Sequence, residues 1–158
     1  MKFPELYKVV PIASALDISS TVSADSINMK NYSHATFLIN IQTLGTASSV
    51  LTVNSGATDG ALTSALSFNY AFGGAAITVA NCDVLAANTN EATLTLTYGT
   101  YSDYMLVVEV DASDMDVANA ENWLTLVFTD PGTATGNVSI FAILEPRYTG
   151  NLSVTALT

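Results

Sequence analysis

Ala65-Leu-Ser-Phe-Asn-Tyr-Ala-Phe72 sets Leu66, Phe68, Tyr70 and Phe72 in strict alternation with small or polar residues. Successive side chains on a strand point to opposite faces, so this period of two marks a half-buried β-strand; a helix would require spacings of three and four. On this reading Gly73-Gly74 ends it. Outward in both directions the pattern recurs. Ala35 to Gln42 carries Phe37, Ile39 and Ile41 on one face, and further strands are expected at Ser49 to Val53, Ile77 to Val79, Thr93 to Tyr98, Tyr104 to Val110, Trp123 to Phe128 and Val138 to Leu144. Turn chemistry separates them at Leu44-Gly-Thr46, Asn54-Ser-Gly56, Asp59-Gly60, Gly99 and Asp130-Pro-Gly132. A strand about every ten residues predicts an all-β chain, an antiparallel β-sandwich of about eight to ten strands with jelly-roll connectivity.

Strand parity then names the core. Phe37, Ile39, Ile41, Leu66, Phe68, Val108, Val110, Leu124, Leu126, Phe128, Ile140 and Ala142 are expected inside. Between Tyr104 and Val110 two parities compete, and Glu109 decides for Leu106, Val108 and Val110, because a carboxylate does not enter a core unpaired. Asp17 to Asn31 reads as a weak strand and a turn. Asp111 to Asn122 is the one candidate for a short helix, with Ser113 as cap and Val117 turned inward.

The first sixteen residues read differently. Pro4 and Pro11 each lack a backbone N–H, which holds this stretch away from helix and from a central strand. Residues 1–16 are therefore expected to be an extended arm and residues 17–158 a single sandwich domain. An arm carrying Phe3, Leu6, Tyr7, Val9, Val10 and Ile12 must bury them against something, which predicts an interface with a neighbouring subunit or another protein, and a homo-oligomer, trimer favoured. Tyr101 and Tyr104 join this interface set, since tyrosine is enriched where proteins meet. Although Val9 to Leu16 follows two lysines and contains Ala13-Ser-Ala15, Pro4 and Glu5 spoil the n-region, so no signal peptide is expected. No run approaches the 18 apolar residues of a membrane span.

Composition narrows the function. Charged residues are 11% and hydrophobic ones 49% of 158, so much of the exterior must be Thr, Ser, Asn, Gly and Ala. Burying such short side chains against a neighbour sacrifices little rotamer entropy. Fourteen acids against four Lys and Arg give a net charge of -10, which repels phosphate backbones and anionic membranes; neither is expected as a partner. One His, one Cys and four basic residues leave no evident set of general bases, nucleophiles or phosphate clamps, and the chain reads as no enzyme.

Each residue with chemistry has a plain structural role on this reading. His34 has no second His or Cys near it in sequence to share a zinc ion. Cys82, with Asp83 beside it and no cationic neighbour, reads as a core or loop residue. Counted from Asp111, Asp111, Asp114 and Asp116 place acids at positions one, four and six, with Glu121 further on, not at the one, three and five of an EF-hand; they read as a solvated, capping or inter-subunit acidic loop, and no metal or cofactor is expected. Asn31-Tyr-Ser33, Asn137-Val-Ser139 and Asn151-Leu-Ser153 match the glycosylation triplet by composition alone. Tyr98, Tyr101 and Tyr104 around Gly99 offer ring faces for stacking on a sugar, which makes a carbohydrate- or receptor-binding module the alternative to a structural protein.

Four segments carry a resemblance: Ile27-Asn-Met-Lys-Asn-Tyr-Ser-His-Ala-Thr-Phe37, Leu66 to Phe72, Val107-Val-Glu-Val-Asp-Ala-Ser-Asp-Met-Asp-Val117 and Ala142-Ile-Leu-Glu-Pro-Arg-Tyr148. In order and spacing the chain resembles, over about residues 5 to 148, the small virion proteins of tailed bacteriophages that serve as capsid decoration or auxiliary head proteins. The resemblance implies a structural role in the phage particle. It further implies the major capsid protein as partner, stabilisation of the outer lattice, and a location on the capsid exterior after assembly in the host cytoplasm.

Overall fold

The computed structural model describes residues 2–130, 132–148, 152 and 154–157. Twelve strands among them form two antiparallel sheets. In the first, strands lie in the order β1 (Lys8–Asp17), β12 (Asn137–Pro146), β4 (Tyr32–Ile41), β10 (Tyr104–Asp111), β7 (Phe68–Ala76), β8 (Thr89–Glu91). The second runs β2 (Val22–Ser23), β11 (Trp123–Thr129), β5 (Ser49–Gly56), β6 (Ser64–Leu66); β3 (Ile27–Asn28) also pairs with β11 and β9 (Thr93–Leu96) with β5. Short strands thus share one edge end to end, and twelve strands fill ten columns. Pairing is nested: β1 with β12, β2 and β3 with β11, β4 with β10, and β5 with β6 and β9.

All twelve residues expected in the core are buried, with Phe37, Ile39, Ile41, Val108, Leu124, Leu126, Phe128, Ile140 and Ala142 at 0% exposure and Phe68 at 1%. Parity succeeds here because one sheet face is apolar and a one-residue slip would expose every side chain of a strand. The Leu66 to Phe72 run is not one strand, however. It breaks at Ser67, where the chain leaves the second sheet (Leu66 opposite Val53) and enters the first (Tyr70 opposite Val108). Alternation survives the crossing because both segments keep the same side toward the shared core.

Four expectations are corrected. Gly73-Gly74 does not end its strand; β7 continues to Ala76, and the glycines instead admit a loop. Ile77 to Val79 forms turns, with Val79 N–H donating to the Ala76 carbonyl at 2.8 Å and Ile77 45% exposed. Asp111 to Asn122 holds two 3₁₀ turns, Ala112–Asp114 and Val117–Asn119. The Asp116 side chain, not Ser113, caps the second turn by accepting from Asn119 N–H, and Val117 points outward while Ala112 and Met115 are buried.

The fourth concerns the N-terminus. Of the arm expected over residues 1–16, the described residues 2–16 are not apart from the domain: α1 (Phe3–Leu6) is a single turn with Pro4 in its first turn, where a missing N–H costs nothing, and Lys8 onward is the edge strand β1. Val10 and Ile12 lie in the chain's own core at 4% exposure each. Pro11 is tolerated because an edge strand has one unpaired side. Register shifts at Pro11/Ala13 and Ala13/Leu16, with Ala15 at φ 49° and its N–H donated to Ser139 Oγ, twist this edge. Such irregular edges resist pairing with a second sheet.

Candidate binding face on the first sheet

Pairing register, not sequence proximity, assembles the most distinctive surface. On the solvent side of the first sheet, Pro11, Phe141, Leu38, Val107 and Ala71 are successive cross-strand partners, making an apolar row across five strands. The next row runs Val9, Ile143, Thr36, Glu109, Asn69, and the charged row beyond is Glu145, His34, Asp111. On the other flank, Asn40 stands between Ser139 and Met105. Phe141 is 48% and Val9 44% exposed, so the other described residues leave this part of the face open.

A loop over residues 77–84 walls this face. It folds back on β7 because Gly73 and Gly74 lack side chains: a Cβ at Gly73 would stand 2.5 Å from the Cys82 carbonyl oxygen, and one at Gly74 2.9 Å from those of Asn81 and Val84. Asn81 adopts φ 71°, and Ile77 N–H donates to the Asp103 carbonyl at 2.7 Å, tying the loop to the start of β10. Between loop and sheet lies a groove of about 310 Å³, lined by Leu38, Ile39, Asn40, Met105 and Phe141 from the sheet and by Ile77, Cys82 and Asp83 from the loop. Cys82 is thus a half-buried loop residue.

Sequence reasoning did not single out this groove, yet a signal was present. Phe37-Leu-Ile39, Met105-Leu-Val-Val108 and Ile140-Phe-Ala-Ile-Leu144 are continuous apolar runs within strands whose inward residues alternate. Unbroken runs characterise strands covered on both faces. Here the described residues leave Phe141 and Val9 exposed on the outer face.

The residues expected at an interface are dispersed. Phe3 (49%) and Leu6 (41%) are exposed on α1, Tyr7 packs its ring 5.1 Å from that of Phe3, Val9 belongs to the outer face just described, and Val10 and Ile12 are interior. Tyr101 stacks on Phe72 with ring centroids 3.8 Å apart and 3° between planes, and Tyr104 meets both rings edge-on. Tyr101 therefore has one ring face already occupied, and of the three tyrosines proposed as a sugar platform only Tyr98, 48% exposed, is largely free of the body of the protein.

Scanned against protein-family models, the chain matches none, and no curated protein matches it in sequence. Among solved structures it is similar to the SPBc2 prophage-derived protein YomS, at 10% identity and a TM-score of 0.47, over 87% of this chain and 91% of that one.

The remaining polar groups are held internally. His34 Nδ1 lies 2.8 Å from Asp111 Oδ1 and its Nε2 3.8 Å from Glu109 Oε1, a bracket of two carboxylates at the sheet's outer end. Asp116 accepts from the backbone and side chain of Asn119, whereas Glu121 is 3% exposed and accepts hydroxyl hydrogen bonds from Ser55 (2.6 Å) and Ser64 (3.1 Å). The acidic segment is thereby split between a cap, a histidine partner and an interior brace. Among the described residues no three His, Cys, Asp or Glu side chains converge as a metal-binding group.

Proposed function

We propose that this chain is a non-enzymatic structural protein of a tailed-bacteriophage particle, specifically a capsid decoration or auxiliary head protein that binds the major capsid protein on the outer lattice and stabilises it. The observation that carries the reading is the outer face of the first sheet: the apolar row of Pro11, Phe141, Leu38, Val107 and Ala71 crosses five strands there, and the described residues leave Phe141 (48%) and the adjoining Val9 (44%) exposed on it. Monomeric soluble proteins rarely leave a large contiguous apolar face in water, so such a face is a docking surface. The low-charge exterior and the four-segment resemblance to decoration proteins support the same reading, and the nested strand order is the one a jelly roll would have. A trimer remains part of the proposal, with Phe3 and Leu6 as its contacts now that Val10 and Ile12 are interior.

The test mixes purified chain with phage heads assembled without it and measures co-sedimentation and head stability. Saturable binding at a fixed copy number per capsid subunit, with raised resistance to heat or low salt, is the expected result. Absence of binding to heads of the phage that encodes it would refute the proposal.

A further inference from the structure

We propose that the groove between the first sheet and the 77–84 loop receives a large apolar side chain presented by a lysine- or arginine-flanked segment of another protein. The inference deepens the docking reading above and rests on it, but not on the capsid as the partner. Shape comes first: a groove of about 310 Å³ floored by Leu38 and Met105 and flanked by Phe141 and Ile77 has room for one bulky side chain or a short apolar run.

Charge selects the partner. Asp83 is in the groove wall itself, Glu109 lies in the register row next to that of Leu38, and Asp111 and Glu145 flank the single histidine, His34, in the row beyond. Among the described residues, no lysine or arginine falls in these rows. Lys8 Nζ is turned to the Leu152 carbonyl at 3.0 Å and Arg147 Nε to that of Tyr32 at 2.9 Å. An apolar floor with Asp83 in its wall and further acids along the same face complements an apolar anchor between cationic residues, which also speeds encounter and fixes register. A second copy of this chain is disfavoured as the occupant of this groove, since the acids of this face would meet acids again, whereas Phe3 and Leu6 lie on α1, outside it. Anionic lipid and nucleic acid meet the same repulsion.

The test uses the full chain, methyl-labelled for NMR, and three acetylated nonapeptide amides: Lys-Ser-Lys-Ser-Phe-Ser-Lys-Ser-Lys, the same with Phe replaced by Ser, and the same with every Lys replaced by Glu. The first peptide should shift the Leu38 and Met105 methyl signals in a saturable, salt-sensitive way, with the other two at least tenfold weaker. Asp83→Lys, on the exposed loop, should weaken the first peptide severalfold, and Phe141→Ser should weaken it tenfold. No shift at these methyls, equal binding of the glutamate peptide, or a sedimenting dimer that buries Met105 would overturn the inference. Heads that bind the chain while the peptides do not would leave the decoration reading and remove this one; peptides bound in the groove while heads stay bare would do the reverse.

Discussion

Replacing Phe68 by Ala tests the central structural argument, because this residue stands where the chain crosses from one sheet to the other. Its ring is 1% exposed and 6.2 Å from that of Tyr70. Removing it forfeits the transfer free energy of a fully buried phenyl group, about 2–3 kcal/mol. The cavity left behind adds about 1–2 kcal/mol, since strands pinned on both sides relax little, and the lost ring pair about 0.5 kcal/mol. A total of about 4 kcal/mol corresponds to a fall in Tm of about 8–16 °C for a domain of this size. Urea unfolding followed by the fluorescence of Trp123, the one tryptophan, measures it directly. Val117→Ala, at a residue 63% exposed, serves as the control and should cost less than about 0.5 kcal/mol. A loss below about 1 kcal/mol at Phe68 would mean that the crossing at Ser67 does not bury this side chain and that the two-sheet assignment fails there.

Three further outcomes are expected. Deleting residues 2–7 removes only the exposed single turn and should change stability by less than about 1 kcal/mol, whereas deleting residues 2–12 also removes buried Val10 and Ile12 and should cost at least about 3–6 kcal/mol or abolish folding; equal effects in a thermal melt would argue against β1 as an integral strand. Glu121→Ala leaves the Ser55 and Ser64 hydroxyls without their acceptor and should cost about 2–3 kcal/mol, with Glu121→Gln, which keeps one oxygen, costing about 1 kcal/mol; chemical denaturation giving no loss for the alanine variant would show that the carboxylate is no brace. Asp17 is held below the ordinary value of 3.8, first by the Ser19 backbone N–H at 2.9 Å and then by the Ser19 side chain. A carboxyl with a depressed folded-state pKa contributes stability above its unfolded-state pKa, and that contribution is lost as the pH falls through the folded-state value. An NMR titration should therefore place Asp17 below 3.8 and Ser19→Ala should raise it; a midpoint at or above 3.8 in the parent chain would contradict the geometry.

The sequence by itself determined strand parity and hence the core. A period of two says which residues share a face regardless of what that face meets, so Phe37, Ile39, Ile41 and Phe68 are legible one strand at a time. The same locality explains what was hidden. Alternation cannot tell a continuing strand from one that changes sheets, so Ser67 carries no mark of the crossing. Pro11 and its neighbours look like a free arm until β12, more than a hundred residues later, supplies a partner edge. Glu121 reads as one of four surface acids because its two serine donors come from β5 and β6. Gly73-Gly74 signals a strand end locally, but their bare backbone makes room for carbonyls of residues 81–84. The outer face followed the same rule: short continuous apolar runs in β4, β10 and β12 each put an apolar residue on the outer side, and long-range register alone decides that Phe141, Leu38 and Val107 become neighbours. Tertiary structure thus decided the surface, because cross-strand pairing joins residues that no local window of sequence contains.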